Sequence, residues 1–291
     1  MAGFARARRR VHHAPTSPRQ QGVSMRLTFL GTGTARPLPD TAASGILMET
    51  DDTAVLFDIG SGIASRVEAT IGALNLSGIV IGHFHADHWI DLAPLRYRFP
   101  WGDPAPAPCP LYLPPGGRDK LEHLATAINE RSAFFDPAFA VTEYQSGHPF
   151  QIGSLTITPH PVGHYVPAWT MDVQGPDARI VYGGDMGPNE VVVDLARGAD
   201  ALILEATLED GRMDDARRGH MDTNESIDHV RRSGVPHGYL VHYPSERRAR
   251  MQALCAESGV PVMPATPGLV VEVSHRDIAA AGSPQEIVRT G

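Results

Sequence analysis

The sequence predicts an α/β fold in which two β-sheets pack against each other with helices on the outside. Two observations predict it. Short apolar runs bounded by turn residues recur along the chain, first over residues 27–113 and again over 155–273. Segments with helical spacing interrupt each succession. Two sheets interrupted in this way bury their apolar faces by stacking, and the helices cover the outer faces.

The elements follow in order. Leu27–Leu30, Gly45–Glu49 and Ala54–Asp58 read as consecutive strands, and Ser65–Leu74 as a helix. Gly78–Gly82 is a short apolar strand that runs directly into His83, and Leu111–Leu113 is another strand. Arg118–Glu130 places Leu121, Leu124 and Ile128 on one helical face. In the second half Leu155–Pro159, Trp169–Val173 and Arg179–Tyr182 are strands, Val191–Arg197 a helix and Ala201–Leu204 a strand. Asn224–Arg232 is a helix with Asp222 or Thr223 placed to cap its N-terminus. Gly238–Val241 is a strand ending at His242, Arg247–Glu257 a helix and Gly268–Val273 the last strand.

The 291 residues suffice for one large domain, and no linker interrupts residues 25–275, so one domain is expected there. Residues 1–24, rich in Arg, Gln, Pro and Ser, read as a disordered tail, and 276–291 as a C-terminal tail. Ordered structure starts so abruptly at Met25 that Met25 is expected to be the initiator. The paired arginines near the start have no apolar stretch behind them and do not read as a signal peptide. No apolar run approaches the ~20 residues of a membrane span. A net charge of −8 argues against a broad nucleic-acid-binding face. Cys109 and Cys255, the two cysteines, read as free thiols in a reducing cytosol.

The chemistry is concentrated in His83-Phe84-His85-Ala86-Asp87-His88. In extended backbone a His-x-His pair points both rings to one side. The chain then turns and presents Asp87 and His88 from a loop or first helical turn, so one segment can feed two adjacent metal ions. Imidazole and carboxylate donors suit zinc, with manganese or iron as alternatives. Two ions need more ligands, and three candidates sit at the ends of strand-like runs: His164, Asp185 and His242. The turn Gly31-Thr32-Gly33-Thr34 lacks the third glycine and the following helix of a dinucleotide fingerprint.

This pattern resembles the metallo-β-lactamase superfamily of metallohydrolases, and within it the branch that contains ribonuclease Z. The likeness covers residues 25–275: Phe29-Leu30-Gly31-Thr32-Gly33-Thr34 is similar to that branch's first strand and turn, and Phe57-Asp58-Ile59-Gly60 to its Asp-x-Gly turn. The resemblance implies a four-layer αββα sandwich of two mixed sheets with outer helices. It implies that His83, His85 and His164 bind one metal, that Asp87, His88 and His242 bind the other, and that Asp185 bridges them, with Asp87 counted also among the catalytic side chains. Glu205-Ala206-Thr207 and Gly219-His220 match two further segments of the branch, while Leu204 stands where it usually has a histidine.

Two metals would lower the pKa of a bridging water and neutralise the oxygens of an anionic substrate. His220, oriented by Glu205, is then the candidate acid for the leaving alkoxide. This pair points to a phosphodiesterase. Ribonuclease Z inserts a long basic arm between the third histidine ligand and the bridging aspartate. Here 185 − 164 leaves 21 positions, room for a hairpin only, so a small or cyclic phosphodiester is expected rather than transfer RNA. Other hydrolyses on the same metals (lactone, thioester or sulfate ester) and a non-catalytic metal-binding role are the alternatives. Trp89, Tyr97, Phe99 and Trp101, with Arg96 and Arg98, line the substrate site or belong to the core. The expected partners are a small anionic substrate and a second copy of the chain, in the cytoplasm, with neither membrane nor extended nucleic acid.

Overall fold

A computed structural model describes residues 25–275 except 102–103 and 215–216. The expectations for residues 1–24 and 276–291 lie outside the described residues.

Strands β1 (Met25–Gly31), β2 (Gly45–Glu49) and β3 (Ala54–Phe57) form an antiparallel meander. β4 (Gly78–Val80), β5 (Cys109–Leu113) and β6 (Phe139–Glu143) extend it in parallel from β3. The second sheet repeats the scheme. β7 (Phe150–Ile152), β8 (Leu155–Val162), β9 (Ala168–Gln174) and β10 (Arg179–Tyr182) are antiparallel, and β11 (Ala201–Glu205), β12 (His237–Val241) and β13 (Val262–Pro264) follow β10 in parallel. β14 (Val270–Val273) returns to pair with β1, so each sheet has seven strands.

Parallel neighbours require crossovers, and helices supply them. α1 (Ile63–Thr70), α2 (Ala86–Trp89), α3 (Leu92–Leu95) and α4 (Gly117–Asn129) belong to the first half, and α5 (Glu190–Ala196), α6 (Thr223–Ser233) and α7 (Arg248–Glu257) to the second. The period-two alternation sorts each strand's side chains into layers. Ile46, Met48, Val55 and Phe57 meet Ile157, Met171, Ile180 and Ile203 between the sheets. Leu47, Leu56 and Ile79 turn outward onto Val67 of α1, Leu92 of α3 and Leu121 of α4. Val181, Leu202 and Leu204 turn outward onto Val192 of α5, Ile227 of α6 and Met251 of α7. The fold is therefore the expected four-layer αββα sandwich. Full burial of a side chain such as Phe57 contributes on the order of 1.5–3 kcal/mol.

Several element boundaries differ from expectation. The helix expected over Ser65–Leu74 breaks at Gly72, whose φ of +76 leads into a separate 3₁₀ turn at Ala73–Asn75. The strand expected to reach Gly82 pairs only through Val80, because the chain must leave the sheet to deliver His83. The short strands β6, β7 and β13 were not anticipated. Ile128, expected on the buried face of α4, is 48% exposed. For α6 the cap is Asp222, in a capping box with Glu225.

The side chains of interest sit just past carboxyl ends of strands: Asp58 after β3, His83 after β4, His164 after β8, Asp185 after β10, Glu205 at the end of β11 and His242 after β12. The turn after β3 is stitched to the segment after β4. The Ile59 N–H donates to the His88 carbonyl at 2.7 Å, Asp91 N–H to Ile59 at 3.1 Å and Ser44 N–H to Asp87 at 3.2 Å. Gly60 lies so close that a Cβ there would stand 1.8 Å from the Asp87 carbonyl oxygen. Gly60→Ala is therefore expected to destabilise the protein by about 1–3 kcal/mol. Gly163→Ala, where the added Cβ meets nothing within 4 Å, should stay within about 1 kcal/mol of the parent. Urea unfolding measures both, and equal midpoints would show that the close approach does not constrain the loop.

Candidate dinuclear metal centre

After β4 the chain runs extended to His85, which stands at the N-cap of α2 with φ −73 and ψ 144. Asp87 and His88 fall in the first turn of that helix, as the alternation-then-turn reading expected. His83 and His88 are buried and Asp87 nearly so. Beneath them lies Asp58, fully buried, with φ +59. Its carboxylate accepts the Gly82 N–H at 2.8 Å, the Tyr182 hydroxyl at 2.7 Å and His88 Nδ1 at 2.8 Å. With Nδ1–H donated to Asp58, the His88 ring is oriented so that Nε2 faces Asp185 Oδ2 at 3.2 Å.

The second sheet brings the other donors. His242 Nε2 lies 3.0 Å from Asp87 Oδ2 and 3.4 Å from Asp185 Oδ2. His164 Nε2 lies 3.0 Å from His85 Nδ1, and His83 Nε2 3.8 Å from Asp185 Oδ2. The seven residues form two groups, His83/His85/His164/Asp185 and Asp87/His88/Asp185/His242, whose donor atoms lie within 4.8 Å of one another. Asp185 belongs to both. His83 Nε2 is buried without a hydrogen-bond partner, an arrangement that costs free energy unless something else takes the lone pair.

The electrostatics point the same way. Burial alone would raise Asp185, but His242, His88 and His83 around it hold the carboxyl well below the usual range. Burial pushes His83 well down, helped by His88, and pushes His164 down to about 4. His83 and His164 are thus held neutral beside an ionised carboxylate, whereas at His88 burial is outweighed by Asp185 and Asp58, which push it well up, so a cation bound there would displace a proton.

Next to the two groups stands Glu205, fully buried at the end of β11. Its Oε1 accepts His220 Nδ1–H at 2.7 Å and the Met186 N–H at 2.8 Å. Its Oε2 accepts the Thr207 hydroxyl, which in turn lies 2.8 Å from His242 Nδ1. Burial works against the His220 imidazolium, but the Glu205 carboxylate outweighs it and pushes the pKa up to about 9. Leu204 belongs to the apolar layer under α5–α7, so the missing histidine leaves no gap in this hydrogen-bond set.

An open cavity of about 390 Å³ lies over the site, lined by Arg36, Ala86, Asp185, Thr207, His220 and His242 among others. The aromatic residues after His88 do not line it. Trp89 and Phe99 are core, Tyr97 and Trp101 are exposed, Arg96 stacks 4.2 Å from the Phe134 ring, and Arg98 pairs with Glu68 at 3.0 Å. Of the other histidines, His160 sits opposite Thr170 on β9, and His229 accepts the Asn189 N–H at 2.9 Å. Sequence reasoning missed Tyr182 and Arg36. Tyr182 carries a signal, a polar-tipped aromatic three residues before Asp185, and Arg36 carries none. Between His164 and Asp185 the chain makes the β9–β10 hairpin.

Comparison with known proteins agrees with this architecture. Residues 53–243 match the β-lactamase superfamily domain. A ribonuclease Z of Mycobacterium bovis is 28% identical over 240 residues, 75% of this chain and 86% of that protein. The metallo-β-lactamase fold protein YhfI of Bacillus subtilis superposes with a TM-score of 0.73 at 23% identity, over 86% of this chain and 99% of its own. A diphosphatase of the PhnP family superposes at 0.67 and 19% identity, over 85% of this chain and 97% of its own. Fold, donor arrangement and sequence match thus lead to one conclusion: the chain belongs to the β-lactamase superfamily.

Proposed function

We propose that this protein is a hydrolase that uses two divalent metal ions, zinc foremost, to cleave a small or cyclic phosphodiester. His83, His85, His164 and Asp185 would hold one ion and Asp87, His88, Asp185 and His242 the other. The buried, unpartnered Nε2 of His83 and the imidazole–carboxylate donor set fit such ions. When bound, the pair supplies an activated water and neutralises the oxygens of a phosphoryl group.

The observation that carries the phosphodiester reading is the Glu205–His220 pair, 2.7 Å apart in the wall of the same cavity. Glu205 accepts a hydrogen bond from Nδ1–H of the His220 imidazolium, so the Nε2 proton is the one available to a departing alkoxide, and the ring is left neutral. The His220 ring stands 4.9 Å from that of His164 and 5.7 Å from that of His242, beside both groups. A proton donor of this kind is needed for an alkoxide leaving group and contributes typically ~10²–10⁴-fold. The relative named ribonuclease Z and the diphosphatase neighbour, each acting on phosphate esters or anhydrides by name, support the substrate class. The β9–β10 hairpin fills the stretch between His164 and Asp185, which favours a small substrate over transfer RNA. Among the described residues no helix is long and apolar enough to cross a membrane. Both cysteines are free and buried, which suits a cytosolic setting.

Elemental analysis of the zinc-loaded protein should find two ions per chain, and Asp185→Ala should lose at least one together with activity. Full retention of both would break the dinuclear assignment. On a panel of chromogenic phosphodiester, lactone, thioester and sulfate substrates, turnover should be confined to the phosphodiester. Turnover of another ester alone would overturn the reading. His220→Ala should lose roughly 10²-fold or more on an alkyl phosphodiester, and much less on a nitrophenyl one that needs no proton. Because the protonated imidazole is the active form and its pKa is raised to about 9, alkyl-ester turnover should hold at neutral pH and fall as pH rises through that value. A parent profile flat across the alkaline range would remove His220 from the acid role.

A further inference from the structure

His220 does not lie on a strand or helix. Before it, the described residues 208–214, with a 3₁₀ turn at Gly211–Met213, and 217–219 must hold an imidazole in register with two groups of donors. The loop's attachments converge on two residues outside the ligand set. Asp214, whose side chain is 3% exposed, accepts the His220 backbone N–H through Oδ2 at 3.1 Å. The other oxygen of Asp214 accepts the hydroxyl of Tyr165, the residue directly after His164. The Tyr165 ring packs 5.0 Å from the His164 ring and 5.4 Å from the His220 ring. The loop also seats on the ring itself, since a Cβ on Gly219 would stand 2.4 Å from it. Arg217 adds a bond to the Tyr165 carbonyl at 3.2 Å.

The loop returns the contact. His164 donates Nδ1–H to the Gly219 carbonyl at 2.6 Å, so the residue before His220 fixes the ring of a donor in the first group. Arg218, between these attachments, turns the chain with φ +51, a conformation that a non-glycine residue keeps only where its surroundings impose it. Its guanidinium is held on Glu225 at 2.6 and 2.7 Å.

We propose that Tyr165 and Asp214 are positioning residues that clamp the chain at Asp214 and at Gly219–His220 onto the His164 strand end, setting His220 and His164 together. The catalytic half of this inference rests on the acid role of His220. Removing the Tyr165 hydroxyl leaves the ring on Gly219 but takes away one hold on the Asp214 carboxylate, which Arg218 Nε also approaches at 3.7 Å and which holds the His220 backbone. Misplacement of a catalytic group by about 1 Å costs on the order of 10²-fold. Loss of a partner that orients a metal-bound histidine costs typically 10- to 100-fold in affinity.

The test compares Tyr165→Phe, Asp214→Asn and His220→Ala in the full-length protein. Two quantities are read: the ratio of alkyl to nitrophenyl phosphodiester turnover in the zinc-loaded form, and zinc affinity of the apoprotein by chelator competition. Tyr165→Phe and Asp214→Asn should lower the ratio roughly tenfold, in the same direction as His220→Ala, and weaken one zinc by roughly tenfold. If His220→Ala lowers the ratio while both clamp variants keep the parent's ratio and zinc affinity, the clamp is overturned. If His220→Ala leaves the ratio unchanged, the acid role fails, and the zinc titration alone decides the clamp: weaker binding supports it and parental binding sinks it.

Discussion

One carboxylate, that of Asp185, is placed among imidazoles delivered by both sheets, and the sandwich is organised around keeping it there. His83 and His88 arrive from the first sheet and His242 from the second, all within 3.8 Å of Asp185 Oδ2. Ionisable groups at this density in a buried setting are unfavourable unless they neutralise one another or share cations. The arrangement persists because neither sheet can relax alone. The apolar layer from Phe29 and Phe57 to Ile203 and Tyr239 fixes one sheet on the other. The carboxyl ends of the strands consequently face each other across a gap of one or two side chains.

Backbone geometry at the ends of the strands gives up local comfort for this convergence. Asp58 and His242 both adopt positive φ, at +59 and +52, although neither is glycine. Each is a polar residue at the last possible point of its strand, and each is braced. Asp58 is held by three donors, and the His242 ring by the Thr207 hydroxyl oxygen, 2.8 Å from its Nδ1. Strain of this kind persists where surroundings over-determine it and concentrates at functional sites.

What the sequence made legible follows from the range of the interactions. His83 to His88 lie within six residues, so their convergence is a matter of local backbone period and could be read directly. His164, Asp185 and His242 were legible as polar residues ending apolar runs, because parallel strands align their carboxyl ends. The short strands β6, β7 and β13 were not legible. With three to five residues each, they owe their state to neighbours in the sheet rather than to pattern. For the aromatics after His88 the sequence leaves substrate site and core open, because their proximity to the donor segment does not say which way they turn; the fold puts Trp89 and Phe99 in the core and leaves Tyr97 and Trp101 exposed. Asp214 and Tyr165, 49 positions apart, could be paired only by the fold.

Glu205 joins His220 and the candidate metal donors into one unit. Its two oxygens are shared among the Met186 N–H next to Asp185, the His220 ring, the Met221 N–H next to His220, and the Thr207 hydroxyl that meets His242. Burial raises the pKa of the Glu205 carboxyl, and its hydrogen bond and charge pairing with His220 work against that rise. Loosening any one donor therefore shifts the charge felt by the others. Energetic effects at His220, Thr207 and His242 are not additive on such a scaffold, because His220 and Thr207 share one acceptor and His242 is joined to it through Thr207. The clamp of Tyr165 on Asp214 extends the same logic outward. It anchors from the solvent side a histidine that Glu205 anchors from the core, and both anchors are needed to keep a loop-borne ring beside donors that are held by strands.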